Sequence, residues 1–133
     1  MTIEASIQNT IEKNTVTVST NDIKKQISIP SKPGGGSSVN GGELLFLALA
    51  TCFCNDIYRE AGKRKMSIQA VDVFVTGQFG KEGEAGSNIS YEVKIEAPDH
   101  TDQQIQELIS YVDEIAEIHN TLRQGVSVTL NRK

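Results

Sequence analysis

Leu44-Leu-Phe-Leu-Ala-Leu-Ala-Thr-Cys-Phe-Cys54 constrains this chain more than any other stretch. It is almost wholly apolar and holds both cysteines of the protein. Its residues favour a helix, yet it has no polar face. A helix on the surface of a globular protein shows an apolar stripe on one side only; one that is apolar all round calls for cover on every side. A bilayer crossing needs about 20 such residues, so eleven are too few. The run therefore predicts a central core helix carrying two thiols.

A chain of 133 residues is expected to form a single domain over 1–133. Only 38% of its residues are hydrophobic and 5% aromatic. A small core beside an all-apolar helix suggests that a second chain helps to cover it. The net charge of −4 and the absence of a basic stripe exclude a general nucleic-acid role. The cluster Gly62-Lys-Arg-Lys65 reads as a helix C-terminus, where cations complement the helix dipole. Met1-Thr-Ile-Glu-Ala-Ser6 lacks the basic and apolar regions of a signal peptide, and no span is long enough for a membrane helix. A cytoplasmic, reducing location is expected, with free thiols and with Asn88-Ile-Ser90 irrelevant as a glycosylation signal.

Ile3–Ile7, Val16–Val18 and Ile27–Ile29 alternate apolar and polar residues and read as three strands. Pro30–Ser38 is a loop by composition. Its glycines lack the Gly-Lys-Ser/Thr ending of a phosphate-binding loop, so a flexible connector is expected. Asn40 and Glu43 form a capping box for a helix over 41–63, with Gly62 near its end. Val71–Thr76 and Ile89–Glu96 read as a hairpin around a Gly/Glu/Lys turn. Thr101 and Gln104 cap a second helix, in which Ile105, Leu108, Ile109, Val112, Ile115 and Ala116 fall on one face. His119–Gly125 is a short helical turn or loop, and Val126, Val128 and Leu130 a last strand. The order βββ-α-ββ-α-β is α+β.

His100 and His119 are not spaced as a metal pair, and Cys-x-Cys alone is weak for one, so neither metal nor cofactor is expected. The thiols remain as chemical candidates, against the plain reading of cysteine as a small buried hydrophobe. Residues two apart point to nearly opposite sides of a helix. Cys54 shares its side with Ala50, Thr51, Ile57, Tyr58 and Ala61 and is expected to be inert. Cys52 looks towards Asn55, Asp56 and Arg59, a polar setting of the kind a reactive thiol needs. Arg59 is a candidate to stabilise the thiolate; Asp56 opposes it unless Arg59 neutralises it. The N-terminus of the helix is three turns away, too far for its dipole to help. The diverging Cβ directions argue against a Cys52–Cys54 bridge.

The cysteine-bearing apolar helix, set between a β-rich first third and a ββαβ second half, resembles the OsmC/Ohr superfamily. These are osmotically inducible protein C and the organic hydroperoxide resistance proteins. The resemblance rests chiefly on Gly41–Cys52, Val71-Asp-Val-Phe-Val-Thr-Gly77 and His119-Asn-Thr-Leu-Arg123. It implies an intertwined homodimer with the cysteine helices packed at its centre. It also implies a thiol peroxidase site that acts on a small-molecule peroxide and is restored by a small thiol or dithiol. The peroxidatic cysteine falls on Cys52. The resolving cysteine falls on Ala116, and the activating glutamate on Gly42, beside the capping Glu43. The N-terminal arginine has no counterpart, with only Lys24 and Lys25 in about the right region. Two readings follow: a one-cysteine peroxide reductase, or a non-catalytic dimeric module for a small apolar or thiol-reactive ligand.

Overall fold

The computed structural model describes residues 1–131 of the chain. Among these, two antiparallel sheets and three helices give an α+β protein. The elements follow the expected order as far as the second long helix. They divide into two compact units, Met1–Leu44 and the chain from Leu45 onward.

The first unit holds a meander, β1 (Ile3–Asn9), β2 (Asn14–Thr20) and β3 (Ile23–Ile27), paired in the order β1-β2-β3. The third strand lies earlier than the expected Ile27–Ile29. Asn21 and Asp22 both take positive φ, 48° and 67°, so a two-residue turn joins β2 to β3 and pairs Thr20 with Ile23. The register of β3 is thus set by the turn. Nor does the glycine loop hang free. The Asn9 side chain accepts from the Gly36 N–H at 2.9 Å and donates to its carbonyl at 3.1 Å, while Ser31 pairs with Ser37. Gly34, Gly35 and Gly36 all have φ near +90°, which side chains disfavour.

Helix α1 spans Gly41–Lys63, the predicted bounds. Its capping box is formed: the Glu43 N–H donates to Asn40 Oδ1 at 2.8 Å, and the Asn40 N–H donates to Glu43 Oε1 at 2.9 Å. At its far end the left-handed residue is Lys65, and the Met66 N–H returns to the Ala61 carbonyl.

In the second unit β4 (Ala70–Gln78) and β5 (Ser87–Glu96) form a hairpin with a bulge after Thr76. Gly77 is required at that bulge. A Cβ there would lie 2.6 Å from the Phe46 ring. Helix α2 (Asp102–Ile115) carries the expected Thr101–Gln104 capping box, and α3 (Glu117–Gln124) follows after one residue, Ala116. Phe53, Ile57 and Ala61 of α1 pack with Leu108 and Val112 of α2. Val71, Val73, Tyr91, Val93 and Ile95, the inward residues of the hairpin, close this core.

The expected last strand is corrected. Among the described residues the segment Val126–Leu130 has no ladder partner, and Val128 is 99% exposed. Alternation marks a tendency to extend, but a strand forms only beside another. Within one chain the apolar run of α1 is not covered all round: Leu47 stays 59% exposed. The buried residues of α1 include Asp56 and Glu60 further along.

Candidate functional site

Cys52 lies in the fourth turn of α1, and the break at Ala116 brings the start of α3 against it. Cys52 Sγ is 3.7 Å from Asp56 Oδ2, one turn on, and 3.8 Å from Glu117 Oε2, the first residue of α3. The ligand atoms of these three residues all lie within 4.8 Å of one another, so among the described residues they form a group able to hold a metal ion. Asp56 is buried, Cys52 half-buried and Glu117 exposed. The cluster is thus open on one side.

Burial pushes the Cys52 thiol up from its usual value. The backbone N–H of Ile118, at the start of α3, works the other way. The charges of Asp56 and Glu117 restore the rise. Burial likewise raises the Asp56 carboxyl, with Glu117 adding to the rise and Arg59 opposing it. The N-terminus of α1 lies about three turns from Cys52, but α3 supplies a different helix N-terminus. Sequence reasoning found Asp56 on the side of Cys52 and missed Glu117, because only the chain reversal at Ala116 brings it there. The position expected to hold a resolving cysteine, Ala116, is fully buried and directly precedes Glu117.

Arg59 does not serve the thiol directly. Its Nη1 donates to Asp56 Oδ1 at 2.8 Å and its Nε to Glu60 Oε2 at 2.9 Å. Lys63 also binds Glu60 Oε2 at 2.9 Å. The expected lowering of the thiol by Arg59 is therefore replaced by a clamp on Asp56. One oxygen of Asp56 is held by Arg59 and the other faces Cys52. Lys63 and Arg59 together hold the Glu60 carboxyl below its ordinary range.

The two cysteines are free and lie in different surroundings. Cys54 lines a shallow hollow with Ala50, Thr51, Asn55, Val71 and Val73. Lys24 and Lys25 are exposed on β3, and Gly42 lies in the first turn of α1. His100 accepts from the Ser67 N–H at 3.0 Å. His119 is buried between Phe53 and Tyr91, their ring centroids 5.8 and 4.7 Å away. Neither of its ring nitrogens has a hydrogen-bond partner among the described residues. Burial, with Arg123 adding to it, lowers its pKa. Tyr91 donates its hydroxyl to Asp113, which also receives Arg123 Nη2 at 2.8 Å. Burial opposes ionisation of Asp113, but the Tyr91 and Arg123 bonds outweigh it and hold this carboxyl low.

The site is thus a helical cysteine flanked by acids and facing the start of a short helix, in an α+β fold. The OsmC-like protein family model matches residues 34–131, and the chain belongs to that family, within the OsmC/Ohr superfamily. Solved structures share its fold. An OsmC-like protein from Mycoplasma pneumoniae is 21% identical, with a TM-score of 0.64 over 92% of this chain and 89% of that one. An organic hydroperoxide resistance protein OsmC from Legionella pneumophila is 19% identical, with a TM-score of 0.58 over 92% and 90%. The organic hydroperoxide resistance protein of Bacillus subtilis is 16% identical, with a TM-score of 0.56 over 100% and 98%. No curated protein sequence matches this one. No helix among the described residues is long and apolar enough to cross a membrane.

Proposed function

We propose that residues 1–133 act as one OsmC-like domain in a cytoplasmic homodimer that reduces small organic hydroperoxides at Cys52. The observation that carries this reading is the setting of Cys52: an acceptor, Asp56 Oδ2, at 3.7 Å and a helix N-terminus, through the Ile118 N–H, beside the sulfur. Two proteins of the same fold are named for organic hydroperoxide resistance, and they suggest the substrate class. The exposed apolar residues Leu44, Leu47, Phe74 and Phe79 support a second copy as cover.

In this reading Asp56, with its carboxyl pushed up by burial, is the group in reach to take the thiol proton. The Cys52 thiolate attacks one peroxide oxygen and the O–O bond breaks. The organic fragment leaves as an alkoxide, takes a proton and departs as the alcohol. The sulfur, oxidised by two electrons, becomes a sulfenic acid. A small thiol condenses with it, releasing water and leaving a mixed disulfide. A second thiol exchanges with that disulfide and frees Cys52. Turnover is slow, because Ala116 cannot resolve the sulfenic acid and burial, with Asp56 and Glu117 adding to it, opposes ionisation of the thiol.

That last point favours a second reading, a non-catalytic module for a small apolar or thiol-reactive ligand. The two are separated by hydroperoxide consumption in the presence of a small thiol, for wild type, Cys52→Ser and Cys54→Ala. The first reading expects turnover in wild type and Cys54→Ala and none in Cys52→Ser. Equal inertness of wild type and Cys52→Ser leaves the binding module. Loss in Cys54→Ala alone overturns the assignment to Cys52.

A further inference from the structure

We propose that Cys52, Asp56 and Glu117 form a tetrahedral site for a zinc-type divalent cation, with three protein ligands and one position left for water. This does not rest on peroxide turnover. It assigns the same thiol a second state, in which the metal holds the sulfur and blocks its attack.

The first argument is distance. A tetrahedral zinc bound to sulfur at about 2.3 Å and to oxygen at about 2.1 Å sets the two donor atoms about 3.6 Å apart. The sulfur here is 3.7 Å from Asp56 Oδ2 and 3.8 Å from Glu117 Oε2. An S–H donor to a carboxylate explains one such spacing at a time, since a thiol has a single proton. Two carboxylate oxygens at the same distance from one sulfur suit a cation placed between all three.

The second argument is the support around the ligands. Asp56 is buried, with 4% of its surface exposed, and Arg59 fixes its Oδ1 at 2.8 Å. That clamp leaves Oδ2 aimed at the sulfur. Glu60 holds the other side of the same guanidinium, and Lys63 holds Glu60. Metal ligands are oriented by such outer partners. Charge agrees as well. A thiolate and two carboxylates carry three negative charges, and a divalent ion with the Arg59 guanidinium balances them. The donor set selects the ion, because a thiolate disfavours magnesium and calcium, whereas zinc accepts both sulfur and oxygen.

The site is loaded through the exposed Glu117 side. Binding displaces the thiol proton to solvent, and no oxidant or reductant is required. Sequence reasoning missed the site because its third ligand lies 65 residues from Cys52.

The test uses cobalt(II) as a spectroscopic probe on the full chain, with zinc as competitor. One equivalent of cobalt is expected to give tetrahedral visible bands and a sulfur-to-cobalt charge-transfer band, both removed by excess zinc. Cys52→Ser should abolish the charge-transfer band and Cys54→Ala should retain it. Glu117→Gln, at an exposed position that leaves the core intact, should weaken cobalt binding at least tenfold. Asp56→Asn should do the same, with circular dichroism to confirm folding. Zinc should also slow alkylation of Cys52, and EDTA should restore it. Absence of a charge-transfer band, its persistence in Cys52→Ser, or unchanged affinity in Glu117→Gln overturns the proposal. The peroxide assay, run with metal removed, is decided independently of these outcomes.

Discussion

The two antiparallel sheets are written in the same local pattern and meet different fates. β4 from Val71 and β5 from Ser90 alternate exposed and half-buried residues, and their inner face closes on Phe53, Ile57, Leu108 and Val112. β1 alternates too, yet every one of its residues is exposed, Ile3 and Ile7 included. Among the fully buried hydrophobic residues none precedes Leu49. Alternation thus specifies a sheet with an apolar face, but it does not say what covers that face. The C-terminal hairpin finds its cover in α1 and α2. The meander leaves its isoleucines open, and the proposed second copy would give them a place.

The contrast can be broken most sharply at Phe53, which is fully buried. Phe53→Ala should cost about 3–5 kcal/mol in urea unfolding, the usual range for a buried ring lost from a core. Ile7→Ala should change the stability of an isolated chain by only about 0.5 kcal/mol or less. If the two variants lose equally, β1 is covered in solution. The next largest effect tests that cover. Leu47→Lys should shift the protein to a lower-mass species in light scattering, because the charge would be buried in the proposed interface. A compact, folded monomer in the wild type would remove the need for a partner.

His119 sharpens the difference through pH. Its pKa in the folded protein lies below the unfolded value, so the unfolded chain binds the extra proton more readily. Its contribution is complete above about pH 6.5, the ordinary histidine value, and is lost as the pH falls below it. Denaturant midpoints measured from pH 8 to 5 should therefore fall on the acid side, with a shallower fall in His119→Phe. The smallest effects are the caps. Asn40→Ala at the start of α1 and Thr101→Ala at the start of α2 should each cost about 1 kcal/mol. Near-equal losses in thermal melts would show that local signals act alike in both regions. The regions would then differ only in burial.

Much of this protein could be read from local physics. The bounds of α1, both capping boxes, the hairpin and the α+β class follow from periodicity and from side chains that bond to neighbouring backbone. These interactions span a few residues, so the sequence order contains them. The separation of Cys52 from Cys54 follows from helix geometry in the same way. The register of β3 was equally local, written in Asn21-Asp22, but two hydrophobic residues further on mimicked a strand. The final strand failed for another reason. Val126, Val128 and Leu130 have the pattern, and among the described residues no second strand lies beside them.

What the sequence alone determined about the site was one thiol, its polar side and the family likeness around it. It placed Arg59 near Cys52 along the helix, but Arg59 has two stronger anionic partners, Asp56 and Glu60. Tertiary structure decided the rest. The turn at Ala116 carries Glu117 and the free N–H of Ile118 to the sulfur. Burial then raises the thiol and the Asp56 carboxyl together. Distance in space, and the dielectric that burial creates, set these charges against one another, and neither quantity is ordered along the chain.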